Sequence, residues 1–189
     1  KHVPLIESNP LSAITTNILG SYYVAKSAIK NNVKNFIFVS SDKAVRPTNI
    51  MGSTKRFAEI TLQSMQDNIL KYNENSKIKF CIVRFGNVLD TSGSVIPLFR
   101  EQISKGGPLT VTHPDIIRYF MTIEEAVELV IQAGSLSDGG EIYILDMGEP
   151  IKVLELAKEM IKLSGNNVRK KNSVDGIEII FTGLRPGEK

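Results

Sequence analysis

Two short runs constrain this chain most: Asn35-Phe36-Ile37-Phe38-Val39-Ser40, and the stretch from Ile78 to Arg84 that contains Phe80-Cys81-Ile82-Val83. Each is only a few residues long, rich in β-branched and aromatic side chains and nearly free of polar ones. That is the pattern of a strand covered on both faces in a parallel sheet. The residues between them, about Ile50 to Tyr72, read as a helix long enough to return from the end of one strand to the start of a parallel neighbour. A further helix is predicted from Leu11 to about Asn31, with Leu11, Ile14, Ile18, Tyr22, Ala25 and Ile29 at spacings of three and four and Pro10 in its first turn. Downstream the pattern gives a helix over Ser94 to Ser104, a minor strand Leu109-Thr110-Val111, and a helix from Thr122 to about Ala133. A strand Glu141 to Leu145, a helix Lys152 to Leu163 and a strand Gly176 to Phe181 complete it. Alternation of this kind means βαβ units with right-handed crossovers, so the fold class is α/β. A boundary is expected near Gly86 to Gly93, beyond which the elements shorten.

Charge and cysteine content exclude several functions. Lys and Arg number 23 against 20 Asp and Glu, a net +3 of mixed sign along the chain, which does not call for a nucleic acid partner. The densest basic cluster, Arg169-Lys170-Lys171, reads as a solvated loop. A single cysteine, Cys81, excludes an internal disulfide and any multi-cysteine zinc site, and its apolar neighbours make it a buried bystander. With His2 and His113 far apart, no metal-ligand set assembles. No apolar run approaches 18 residues, so no membrane contact is expected from this chain, and nothing resembles a signal peptide. Since Lys1-His2-Val3-Pro4 leads at once into an organised pattern, the chain is expected to be a piece of a longer protein.

Open α/β sheets bind ligands beyond the carboxyl ends of their strands. Those ends carry Ser40-Ser41-Asp42-Lys43 and Arg84-Phe85-Gly86-Asn87. Ser41, Asp42 and Lys43 put a hydroxyl, a carboxylate and an ammonium side by side, although the same residues serve equally as a turn and helix cap. Lys55 follows four residues after Met51, on the same helix face. Tyr22 and Tyr23 read as helix packing residues, and Arg56 with Glu59 as a solvated i,i+3 pair.

The segment from Ser40 to Arg56 resembles the catalytic segment of the extended short-chain dehydrogenases that dehydrate nucleotide sugars. More narrowly it is similar to the polysaccharide-biosynthesis (CapD-like) UDP-N-acetylglucosamine 4,6-dehydratases. Lys1-His2-Val3-Pro4, Arg84-Phe85-Gly86-Asn87-Val88, Gly93-Ser94-Val95-Ile96-Pro97, Arg118-Tyr119-Phe120-Met121-Thr122 and Arg185-Pro186-Gly187-Glu188-Lys189 agree, in that order. The resemblance implies the C-terminal part of a doubly wound, Rossmann-like sheet plus a smaller α/β lobe. Residues 1–88 would form part of an NAD-binding domain. Residues 89–189 would form a substrate-binding lobe from which a strand and a helix return to the sheet.

It also implies a reaction. Carbon 4 of the sugar is oxidised with NAD as acceptor, the ketone acidifies the proton at carbon 5, water leaves from carbon 6, and the hydride returns to carbon 6. Asp42 and Lys43 match the family's acid and base, and Ser41 the residue that bonds the 4-oxygen. Lys55, Lys1 and His2 match cofactor-binding positions; Asn87, Arg118, Arg185 and Glu188 match contacts to the UDP part of the substrate. The family implies a cytoplasmic catalytic part that can be membrane-anchored elsewhere, and a homo-oligomer formed through the helices of 11–31 and 50–72. Asn17 falls where the superfamily often has a structural asparagine, and a solvent-facing role fits equally.

Two departures stand out. The superfamily's catalytic tyrosine is replaced by Met51, which cannot carry a proton. None of the 14 glycines belongs to a Gly-x-Gly-x-x-Gly or Gly-x-x-Gly-x-x-Gly turn, so the pyrophosphate cradle is missing and the chain alone is expected to be inactive. Two alternatives remain: a sugar-nucleotide 4-epimerase or reductase on the same scaffold, and a noncatalytic nucleotide-sugar-binding or partner-docking fragment.

Overall fold

The computed structural model of the chain describes residues 2–72, 76–91, 93–169 and 175–188. Lys1, Lys170 and Lys171 lie outside these residues. The chain opens with α1 (Val3–Ser8) and α2 (Pro10–Ala13), a π-helical turn (Ile14–Gly20) and α3 (Ser21–Lys30), then β1 (Asn35–Val39), a 3-10 turn (Asp42–Ala44), α4 (Ile50–Tyr72) and β2 (Lys79–Arg84). It continues through β3 (Asn87–Val88), α5 (Val95–Ser104), β4 (Leu109–Val111), β5 (Ile117–Arg118) and β6 (Phe120–Met121). After these come α6 (Ile123–Leu136), β7 (Ile142–Ile144), β8 (Ile151–Lys152), α7 (Val153–Leu163) and β9 (Ile179–Phe181).

These elements form two compact units. The first comprises residues 1–86 and 124–146, the second 87–123 and 147–189. In the first, β2 lies between β1 and β7, both parallel to it, with Phe36 opposite Phe80 and Val83 opposite Tyr143. The near-continuous apolar run of β2 follows from this central place: Phe80, Cys81, Ile82 and Val83 are all buried. One core joins the sheet to the helices through Ala25, Ala28, Phe38, Ala58, Leu62, Phe80 and Ile82. Small residues on α3 and α4 let the helices approach the sheet, and Phe36 meets Phe80 edge-to-face at 5.2 Å. The second unit has its own core, Phe99, Leu109, Val111, Ile116, Val153, Ala157, Ile161 and Ile177, around the parallel pair β4–β9.

The predicted helix over 11–31 needs correction in its middle, where the seven residues Ile14–Gly20 widen into a π-helical turn. The turn is tied to α4 and to its own next residues: Asn17 Nδ2 donates to Thr54 Oγ1 of α4 at 3.0 Å, and Ser21 Oγ donates to the Asn17 carbonyl at 2.7 Å. Tyr23 also departs from its expected packing role. It is 62% exposed, stacked edge-on to Tyr22 at the surface of α3. Arg169 is tied down rather than a free loop charge: it donates to Glu178 Oε2 at 3.1 Å and to the Gly176 carbonyl.

Candidate active site

The turn after β1 is fixed at both ends by the backbone of β2. Ser40 N–H donates to the Val83 carbonyl at 2.7 Å, and Asp42 N–H to the Phe85 carbonyl at 3.0 Å. Ser41 between them stays extended and caps the 3-10 turn, its Oγ accepting from Lys43 N–H at 3.2 Å. The same hydroxyl donates to Asp42 Oδ1 at 2.9 Å, and Lys43 Nζ donates to that oxygen at 3.0 Å. The trio forms the cap that the residues allow, and the capping geometry brings the three polar groups together.

The start of α4 is pressed against this turn. A Cβ at Gly52 would fall inside the van der Waals shell of the Lys43 carbonyl, so only glycine fits there without moving Lys43. Two side chains cap the helix: Glu7 of α1 accepts from Ile50 N–H, and Asn49 Oδ1 from Gly52 N–H, each at 2.7 Å. The Val3–Ser8 helix thus reaches the helix that carries Met51 and Lys55, with His2 exposed just before it. Met51 is 4% exposed, a buried thioether with no proton to exchange. Lys55 Nζ donates to the Val39 carbonyl at 3.1 Å and lies 4.8 Å from the centre of the Phe38 ring. Burial pushes its amine below the usual lysine range, against the pull of Glu59.

Glu59 is the residue that the sequence reading misjudged. Its side chain is fully buried, and its pair with Arg56 at 3.0 Å is only one of its contacts. Oε1 accepts from Ser40 Oγ at 2.5 Å and Arg84 Nε at 2.8 Å; Oε2 accepts from Arg84 Nη2 at 2.5 Å and from Arg56. Burial alone would raise its carboxyl, yet the bonds from Arg84, Ser40 and Arg56 outweigh that and hold it below the usual carboxylate range. A signal was present: Lys55, Glu59, Leu62 and Gln66 share one helical stripe, and Leu62 is core.

In the second unit, Arg185 Nε and Nη2 both donate to Glu188 Oε1, at 3.1 and 2.6 Å, closing a short loop around Pro186-Gly187. The Glu188 carboxyl, which burial alone would raise, is held low by Arg185 and by the charge of Arg118, so these three predicted residues share one neighbourhood. Arg118 donates to its neighbour's carbonyl, Ile117 O, and borders an open depression of about 350 Å³ lined also by His113, Asp115, Ile116, Ile117 and Leu184. Asn87 Nδ2 donates to the Tyr119 carbonyl at 3.2 Å, beside Arg118 in sequence.

The family model described as polysaccharide biosynthesis protein matches residues 1–189. The chain belongs to that family. The capsular polysaccharide biosynthesis protein CapD of Staphylococcus aureus is 56% identical over 189 residues, all of this chain and 30% of that protein. A Rickettsia canadensis protein named UDP-glucose 4-epimerase is 37% identical over 196 residues, covering this whole chain and 51% of its own length. Among solved structures, Pen from Bacillus thuringiensis superposes with a TM-score of 0.88 at 40% identity, over all of this chain and 55% of that one. This member of the polysaccharide biosynthesis family thus spans about a third to a half of the length of these relatives. Its parallel α/β sheet is the Rossmann-like architecture expected from the sequence.

Proposed function

We propose that the protein to which this chain belongs is a nucleotide-sugar 4,6-dehydratase that uses NAD and acts on UDP-N-acetylglucosamine. The observation that carries the reading is the contact between Asp42 Oδ1 and Lys43 Nζ on the turn after β1, with Ser41 Oγ on the same oxygen. Expelling the 6-hydroxyl as water requires one group that gives a proton to the leaving oxygen and one that takes the proton from carbon 5. Moving the shared proton across the 3.0 Å contact makes Asp42 a carboxylic acid and Lys43 an amine, which is that couple. After elimination Asp42 is a carboxylate and Lys43 an ammonium, so the ion pair is restored. Ser41 orients the 4-oxygen. Because the buried Met51 takes no part in proton transfer, the proton of the 4-hydroxyl leaves through Asp42, Lys43 or a water.

NAD, when bound, supplies reversible acceptance of hydride. Lys55 is suited to its ribose: the ammonium is anchored by one bond to the strand-end carbonyl of Val39, and it has three donors. Lys1 and His2 belong by resemblance to the same cofactor region, and the glycine-rich cradle is not encoded in these residues. Arg118 and Arg185 are assigned to the diphosphate, where guanidinium forks match phosphate oxygens, with Glu188 on the ribose hydroxyls and Asn87 near the phosphates. By the family resemblance the work belongs to surface-glycan synthesis on the cytoplasmic side, by a homo-oligomer formed through the helices of 11–31 and 50–72.

Incubating the whole protein with NAD and UDP-N-acetylglucosamine tests this, with the UDP-4-keto-6-deoxy sugar as the expected product. A second reading, 4-epimerisation, is favoured by the name of the Rickettsia relative. Formation of the carbon 4 epimer without loss of water would establish it instead and leave the Asp42–Lys43 couple without its proposed use.

A further inference from the structure

Among the described residues one carboxylate, that of Glu59, is completely buried, and it lies next to the turn that carries the candidate acid and base. Glu59 joins three elements. It is itself on α4, it takes a hydrogen bond from Ser40 at the end of β1, and it takes two from Arg84 at the end of β2. With Arg56 the two oxygens accept four bonds, so their hydrogen-bonding capacity is filled. Each bond pulls a different element toward one point, and Ser40 is the residue that immediately precedes Ser41.

We propose that Glu59 is a positioning residue: by gripping Ser40 and Arg84 together it sets where the Ser41-Asp42-Lys43 turn stands relative to the strand ends and to α4. The catalytic part of this statement rests on the dehydratase reading; the positioning part does not. A buried carboxylate suits this task because its bonds are directional and charge-assisted, and no water competes for them. An apolar residue at 59 could fill the space, but it would leave Arg84 and Ser40 free to choose other partners. The backbone bonds of Ser40 to Val83 and of Asp42 to Phe85 hold the turn along the strand direction, whereas Glu59 ties it to the helix beneath. Gly52 meets the Lys43 carbonyl from that same helix. The turn is therefore held on α4 at two points, one polar and one steric.

The test combines Glu59→Gln, which removes the charge at nearly constant volume, with Ser40→Ala, which removes only the hydroxyl grip and leaves the ion pairs in place. Amide hydrogen exchange is followed residue by residue in both. The expected result is exchange at least tenfold faster at the amides of Asp42 and Ala44, whose bonds to Phe85 and Ser41 hold the turn, with Phe80 to Ile82 and the α7 amides unchanged. Unchanged exchange at the turn in Ser40→Ala, or a uniform loss of protection across the first unit, overturns the proposal. If Glu59→Gln does not fold, Ser40→Ala decides alone. In the whole protein, Ser40→Ala should lower kcat about tenfold with KM for the sugar nucleotide within twofold. A loosened turn with unaltered kcat would overturn instead the assignment of chemistry to residues 41–43.

Discussion

One carboxylate–guanidinium pair in each unit holds its charges in an opposite way. In the first, Glu59 is fully buried and Arg84 has a side chain only 12% exposed, so the bonds between them form where water does not compete. In the second, Arg185 is 60% exposed and Glu188 14%, and their pair stands at the surface. A buried network is costly to assemble and holds one geometry. A surface pair is worth little and exchanges partners easily. The difference teaches which contact arrives with its geometry made and which can rearrange; the Asp42–Lys43 pair, itself at the surface with side chains 42% and 26% exposed, depends on the buried network beneath it for its placement.

The sharpest way to break this contrast is to remove the chemistry from the turn that the buried network places. In the whole protein, Asp42→Asn and Lys43→Met should each lower turnover by about two to four orders of magnitude with little change in UDP-sugar binding. Met51→Leu, which keeps the buried volume, should cost less than about tenfold. Equal damage from all three, measured by steady-state kinetics, would mean that the losses come from disturbed geometry at the start of α4 and not from removal of proton carriers.

Next in size is the framework itself. Glu59→Ala leaves Arg84 partly buried without its partner and should destabilise the first unit by about 3–5 kcal/mol in urea unfolding. The folded carboxyl titrates below its ordinary value. Its contribution is therefore complete above the unfolded-state pKa, near ~4.3, and is lost as pH falls through the lower folded-state value. The wild-type stability should fall more steeply with acid than that of the variant, and parallel acid limbs would contradict the buried network.

The smallest effects belong to the second unit. Arg118→Ala and Arg185→Ala should each weaken UDP, titrated calorimetrically, by about 1.5–3 kcal/mol, with thermal stability nearly unchanged. A loss of stability as large as that of Glu59→Ala would erase the contrast between the units; unchanged UDP affinity in both variants would remove the arginines from the substrate assignment.

Much of the fold was legible because it rests on local pattern. The helix over 50–72 emerges with the predicted bounds, since its apolar stripe is regular. The apolar runs of β1 and β2 declared their burial. The two-residue strands β3, β5, β6 and β8 were not legible, because their pairing partners lie far away in sequence; the helix Val3–Ser8, closed by local bonds, is too short to show a period. The π-helical turn depends on Asn17 finding Thr54, 37 residues on. At the site, Ser41, Asp42, Lys43 and Lys55 could be named from the end of a strand and the start of a helix. The stripe with Leu62 signalled the burial of Glu59 but not its partners, because i,i+3 spacing to Arg56 suggests a surface pair unless Arg84 and Ser40 are known to converge on the same carboxylate.

The contact between Gly52 and the Lys43 carbonyl also limits how sequences of this kind can change. Every replacement of glycine adds at least one carbon where the backbone of residue 43 already stands. Position 52 is closed to single substitutions unless the preceding turn shifts, and a shift of that turn moves the lysine. Drift at these two sites is therefore coupled. A lineage that acquires a side chain at 52 also relocates residue 43, and with it whatever that residue does.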